Sequence, residues 1–207
     1  DPSDEEFVNE PVEVAYVSIY HAAPNAPAFD ISVDGRLINQ NAFEYTAYSG
    51  YLNFFTGNRD IEFYPMNADN ALIDTTFNFE DGKAYSLFAI NTATDIEALL
   101  VVDSAATPSE GKAMVRFINL APDAPAFDLT AGTTTIFSAK EFKDATQFQE
   151  IDADTYTFDV KSADAGEAAI SASDVEILPG RFYTNITRGY ITPPSGNDHV
   201  LSMEILD

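Results

Sequence analysis

The chain contains no cysteine, which excludes a disulfide framework, a thiolate metal site and a cysteine nucleophile. Basic residues are scarce: 10 Lys and Arg stand against 34 Asp and Glu, giving a formal net charge of −24 at pH 7. A field of one sign repels DNA, RNA and anionic membrane surfaces at long range, so a nucleic-acid partner is disfavoured. It suits the solvated surface of an exported protein or of one from a salty habitat. No run of about 18 apolar residues occurs, so no transmembrane helix is expected. Histidine is limited to His21 and His199, one in each half of the chain. The Gly-x-Ser-x-Gly, His-Glu-x-x-His and Gly-x-x-x-x-Gly-Lys-Ser/Thr signatures are missing. So is the Asp-x-Asp-x-Asp-Gly loop of a calcium site; the nearest acidic clusters, Asp152-Ala153-Asp154 and Asp69-Asn70 with Asp74, fall short of its ligand count. No cofactor or metal is therefore expected, with Ca²⁺ as the minor alternative. No stretch keeps a 3.6-residue apolar period for three turns, which argues against long helices.

What the chain does have is a phrase used twice. Ala23-Pro24-Asn25-Ala26-Pro27-Ala28-Phe29-Asp30-Ile31 returns 98 residues later as Ala121-Pro122-Asp123-Ala124-Pro125-Ala126-Phe127-Asp128-Leu129. A fixed period marks a repeated structural unit, and this one is long enough for a small domain with its own core. The register extends on both sides. Val17 and Ile19 match Val115 and Phe117 while Ser18 is exchanged for Arg116, which reads as a strand with one buried face. Gly82-Lys83-Ala84-Tyr85-Ser86 matches Gly180-Arg181-Phe182-Tyr183-Thr184, and Tyr51 lies close to the register of Phe148.

The elements read as strands. The chain has 16 Phe and 10 Tyr, with Thr, Val and Ile in short runs. Phe29, Ile31 and Val33 alternate with Asp30 and Ser32, Asp34-Gly35 supplies a two-residue hairpin turn, and Arg36-Leu37-Ile38 pairs back. Tyr156, Phe158 and Val160 alternate likewise. Each copy yields roughly six to eight strands, the count of a β-sandwich. The mildly helical residues 139–145 read as a loop turn. The expected organisation is an acidic, disordered lead-in over residues 1–11, a first sandwich over 12–104, a small polar linker over 105–112 and a second sandwich over 113–207. The linker permits either a packed or a hinged pair. The chain starts at Asp1 rather than Met, so an upstream piece, where a secretion signal would lie, is expected to have been cleaved or omitted.

The repeated phrase is expected to act through backbone geometry. Pro24 and Pro27, like Pro122 and Pro125, stiffen the connection between the first two strands of each copy. Phe29 and Phe127 plug the sandwich, and Asp30 and Asp128 accept backbone N–H bonds in the loop. The alternative is a ligand-binding loop carrying His21, Asn25 and Asp30. Tyr85 and Tyr183 each follow a glycine by three residues and are expected to tie a loop to the sheet through their hydroxyls. Tyr45, Tyr48 and Tyr51 could form an exposed aromatic platform for a glycan or small ligand; the competing reading puts these rings in the core or between the domains. A His21 hydrolase, with Asp30 nearby and one of several serines, is a third class, opposed by the replacement of His21 with Asn119 in the second copy.

At Val17-Ser18-Ile19-Tyr20-His21-Ala22-Ala23-Pro24-Asn25-Ala26-Pro27-Ala28-Phe29-Asp30-Ile31-Ser32-Val33-Asp34-Gly35, and again at Gly82-Lys83-Ala84-Tyr85, the chain resembles the DUF4397 family, domains of unknown function common in exported and surface-attached bacterial proteins. The second copy departs at Asn119-Leu120 and lacks a clean Asp-Gly hairpin. The resemblance implies two tandem immunoglobulin-like or transthyretin-like sandwiches, export to the outer surface, periplasm or medium, and a lipid anchor upstream of Asp1. It carries no activity. The expected role is a non-catalytic interaction or structural module whose partner is a protein or glycan at the cell surface.

Overall fold

The structure, a computed structural model, describes residues 10–165 and 167–207. The expected acidic lead-in lies outside the described residues except for Glu10 and Pro11. No described residue is helical, and the residues 139–145 finish a strand and turn.

The first eight strands are β1 (Val14–His21), β2 (Phe29–Val33), β3 (Arg36–Leu37), β4 (Tyr48–Phe55), β5 (Gly57–Pro65), β6 (Ile73–Phe79), β7 (Ala84–Ile90) and β8 (Glu97–Val102). They make two four-stranded sheets, ordered β4-β1-β7-β8 and β3-β2-β5-β6. The next eight are β9 (Lys112–Asn119), β10 (Phe127–Ala131), β11 (Thr134–Lys140), β12 (Gln149–Asp152), β13 (Thr155–Ser162), β14 (Ala168–Glu176), β15 (Phe182–Arg188) and β16 (Ser202–Leu206). They repeat the arrangement as β12-β9-β15-β16 and β11-β10-β13-β14. The fold is therefore all-β: two tandem sandwiches. Each contains one parallel pair, β1 with β7 and β9 with β15, among antiparallel ones. Each sandwich thus has eight strands, one more than the seven of the immunoglobulin constant-type arrangement.

Alternation along the strands builds each core. Val17 and Ile19 from β1, Phe29 and Ile31 from β2, Ile61 and Phe63 from β5 and Leu87 from β7 fill the first. Val115, Phe117, Phe127, Leu129, Phe158 and Val160 fill the second. Phe29 and Phe127 are both fully buried plugs. The Asp34-Gly35 turn has positive φ at both residues, 49° and 74°, the conformation that matches a tight hairpin to strand twist. The two tyrosines behave alike: Tyr85 Oη accepts the Glu80 N–H at 3.2 Å and Tyr183 Oη accepts the Leu178 N–H at 3.0 Å, each tying a loop to its sheet.

One core position differs in kind. Asn185 on β15 occupies the place of Leu87 and is fully buried, yet neither its amide nitrogen nor its oxygen has a hydrogen-bond partner among the described residues. An unsatisfied buried amide costs free energy that an apolar side chain avoids. Asn185→Leu, copying the first sandwich, is expected to raise the unfolding free energy by about 1–3 kcal/mol in chemical denaturation; an unchanged or lower midpoint would mean that the amide is paired or the site too tight.

The faces of β1 and β9 opposite these cores are also buried, except at Tyr16 near the start of β1, which corrects the expectation of a strand with one buried face. The sheet β4-β1-β7-β8 packs against β12-β9-β15-β16. Tyr20, Ala22, Phe88 and Ile90 from one copy meet Ile118, Leu120 and Ile186 from the other. Tyr20 and Ile118, Ala22 and Leu120, and Phe88 and Ile186 stand at equivalent places in the repeat, so the copies bury the same face against each other. The result is four stacked sheets, with the two sandwiches joined by a third apolar cluster.

Candidate functional site

The rim of this inter-sandwich interface is where polar chemistry concentrates. Arg116 on β9, at the place of Ser18, is only 2% exposed. Its Nη2 donates to Asp103 Oδ1 at 2.5 Å, its Nη1 to the Val102 carbonyl at 3.2 Å and its Nε to Thr184 Oγ1 at 2.9 Å. The guanidinium also lies 4.6 Å from the centre of the Phe148 ring. Asp103 Oδ2 accepts from Ser86 Oγ at 2.8 Å and Tyr51 Oη at 2.7 Å. Burial, then the Asp103 carboxylate, push the Tyr51 phenol well above its usual range. A carboxylate from the first copy is thus clamped on a guanidinium from the second. Above the clamp opens a cleft of about 350 Å³, with Tyr48, Tyr51, Phe148, Phe182 and Leu206 among its walls and Asp207 at its lip.

Of the three tyrosines grouped by sequence, Tyr48 and Tyr51 line this cleft together. Tyr45 does not join them, which corrects the expected platform. Thr46, with φ 73°, turns the chain between them, and the Tyr45 ring stacks on His199 at 4.2 Å instead. Phe148, close to the register of Tyr51, stands across the cleft from it, and Phe182 meets Phe148 edge-on at 5.5 Å.

The phrase residues make a second, structural cluster. His21 is fully buried. Its Nε2–H donates to the Pro27 carbonyl at 3.0 Å and its Nδ1 accepts the Ala23 N–H at 3.3 Å. Burial depresses its pKa to about 4, against the opposing effect of the Pro27 bond. Both nitrogens are spent on main chain, with no bond to Asp30 or to a serine. Asn119 in the second copy accepts the Ala121 N–H at 3.2 Å in the same way, so the replacement preserves that contact. Asn25 Oδ1 accepts the Ala93 N–H at 2.8 Å, and Asp123 repeats this with the N–H groups of Ile191 and Thr192. Asp128 Oδ1 accepts the Ala139 N–H at 2.7 Å as expected, but Asp30 makes no such bond. In the first copy β3 stops at Leu37, and Asn39 takes over, accepting the Ile31 N–H and donating to the Phe29 carbonyl. Pro24 reaches across the interface: its carbonyl accepts from Asn197 Nδ2 at 3.0 Å and from His199 Nδ1.

Sequence reasoning missed Arg116, Asp103, Arg188 and Glu204. Arg188 donates to Ser202, Glu204 and the Tyr20 hydroxyl, and Tyr20 in turn donates to Glu204, a second polar bridge between the copies. The available signal was the loss of Ser18 to an arginine within an otherwise apolar strand. For metals, no group of three or more histidine or carboxylate side chains converges among the described residues; Asp152, from the first acidic cluster, pairs with Lys112 at 2.6 Å. No described helix is long and apolar enough to cross a membrane.

Comparisons with known proteins bear on the family. No curated protein matches the chain. Among solved structures, the Bacillus anthracis TIE protein is 11% identical with a TM-score of 0.28, covering 86% of this chain and 34% of its own. A leucine-rich repeat protein from Bacteroides thetaiotaomicron VPI-5482 is 15% identical with a TM-score of 0.20, covering 83% of this chain and 25% of its own. The chain thus spans about a third and a quarter of these two proteins. The model of the family described as "Domain of unknown function (DUF4397)" matches residues 15–130 and 121–197, overlapping on the repeated phrase. With most of its length matched in two segments, the chain belongs to the DUF4397 family as a tandem pair.

Proposed function

We propose that the protein is a non-catalytic interaction module of the bacterial cell envelope or extracellular space, held by a lipid anchor upstream of Asp1, and that its recognition surface is the cleft between the two sandwiches. The observation that carries this reading is the aromatic wall of that cleft, contributed jointly by Tyr48 and Tyr51 from one copy and Phe148 and Phe182 from the other. Rings held on sheets give a partner large contact area with little entropy to lose. The engagement of both ring nitrogens of His21 by main chain supports a binding rather than a hydrolytic role. The negative field of the whole chain supports a partner that is neutral or cationic overall.

The experiment is comparative capture from envelope extracts with the intact protein and with Phe148→Ala. The variant is expected to lose the wild-type partner by about tenfold, while an identical captured set would remove the cleft from the argument. Cell fractionation with mass spectrometry of the mature N-terminus checks export and the anchor; an unprocessed cytoplasmic chain refutes both. A glycan is the second reading, favoured by the exposed faces of Tyr48 and Tyr51. A glycan array answered by the wild type and not by Tyr51→Ala would select it.

A further inference from the structure

Eight strands form the edges of the four sheets: β3, β4, β6, β8, β11, β12, β14 and β16. A free edge presents unpaired N–H and C=O groups, and proteins guard such edges with charge, proline or a cover. Seven of the eight carry at least one charged side chain, such as Glu97 on β8, Asp74 on β6 and Glu150 on β12. β4 is the exception. It reads Tyr-Ser-Gly-Tyr-Leu-Asn-Phe-Phe, without charge or proline, in a chain where 21% of residues are charged. Past an irregularity near Ser18, residues 51–55 pair regularly with residues 14–18 of β1, and their other side meets no strand among the described residues.

A groove of about 620 Å³ runs beside this unguarded half. Its apolar lining is Leu52, Phe54 and Phe55 of β4 with Val33 and Ile38, and its polar lining includes Arg36, Arg59 and Asp34. Phe55 is 64% exposed. Arg59 is held by Asp34 at 2.8 Å, whereas exposed Arg36 forms no ion pair among the described residues. An apolar groove, an open backbone edge and an uncommitted guanidinium therefore lie together on the first sandwich.

We infer that β4 accepts an incoming strand: an extended segment of a partner protein, apolar at alternate positions, with a carboxylate that meets Arg36. Backbone bonds to residues 51–55 supply affinity, the groove takes the side chains of one face, and Arg36 selects the acid. A second copy of this chain fits less well. Two chains at −24 repel each other, and β4 offers no carboxylate to the other copy's Arg36. The inference rests on the reading of the protein as an interaction module but uses the backbone edge of β4 over residues 51–55 and the groove at its far end, which share Tyr51 with the cleft and otherwise lie on the first sandwich alone.

The probes are two fluorescent peptides of alternating Thr and Val, one with Asp at its first position and one with Asp at its last, titrated into the full chain by anisotropy. One of the two is expected to bind saturably, and a proline at its centre to abolish binding. Phe55→Lys, at an exposed position, is expected to abolish it as well. Arg36→Glu is expected to weaken it about tenfold, with a Lys-for-Asp peptide recovering the loss on that variant. Phe148→Ala, which removes a cleft ring and the stack on Arg116 but lies on the second sandwich, away from the groove, should leave peptide binding intact, so the two surfaces fail separately. Binding that ignores the proline, no saturation by about 1 mM peptide, or a concentration-dependent dimer in sedimentation that the peptide dissolves would each overturn the assignment.

Discussion

Asp103→Ala is expected to lower the unfolding free energy by about 3–5 kcal/mol, because it leaves the Arg116 guanidinium buried without its carboxylate at the floor of the cleft. The side chains of the pair are 3% and 5% exposed. Asp103 also receives Ser86 and Tyr51, so its loss leaves three donors short of one acceptor. Replacing both partners, Asp103→Leu with Arg116→Leu, is expected to cost much less than the sum of the single changes, since an apolar pair removes the buried charge along with its partner. A double-mutant cycle by urea denaturation reads the difference as a coupling energy. A single-variant loss near zero would mean that water reaches the guanidinium and that the sandwiches are not locked there. The same contact favours a packed pair over a hinged one, because the salt bridge is buried between two sheets beside an apolar cluster from both copies.

That clamp also marks how far the sequence could be read. The period placed Phe29 over Phe127 and Tyr85 over Tyr183, and the structure gives each pair the same environment, because side-chain alternation and turn chemistry are local rules that a repeat states twice. Burial of the second face of β1 and β9 depends on a partner sheet from another copy, and no local period encodes that. Its trace was present in Tyr85-Ser86-Leu87-Phe88-Ala89-Ile90, a nearly unbroken apolar run of the kind that a strand covered on both faces requires. Arg116 reads as a surface residue because arginine is seldom buried unless paired, and its partner Asp103 follows directly on β8 at the end of the first copy, two residues before the stretch read as a polar linker, where nothing in the local pattern marks it as an ion-pair partner. Tyr45 separates from Tyr48 and Tyr51 for a backbone reason: the positive φ at Thr46 reverses the chain, and threonine gives little warning of such a conformation.

Acid is expected to weaken the fold through His21. Its pKa is about 4 in the folded chain against about 6.5 when unfolded. Above pH 6.5 both states hold the ring neutral and nothing is lost. Below it the unfolded chain takes up a proton that the folded one refuses, so stability falls until about pH 4, by about 3 kcal/mol in total. The cause is geometric: a buried ring against Phe29 at 4.7 Å, with Nδ1 already accepting the Ala23 N–H. The titratable rings nearby are Tyr45, 6.0 Å away, and His199, whose charge opposes that of His21. His21→Asn borrows the solution used at Asn119, where an amide oxygen accepts the equivalent N–H. Stability measured by denaturant midpoint from pH 7.5 to 3.5 should therefore fall less steeply in the variant than in the wild type between pH 6.5 and 4, with the many carboxylates common to both cancelling in the difference. Parallel curves would show that His21 takes its proton freely in the folded state, and would remove the buried neutral tautomer from the description of the repeated phrase.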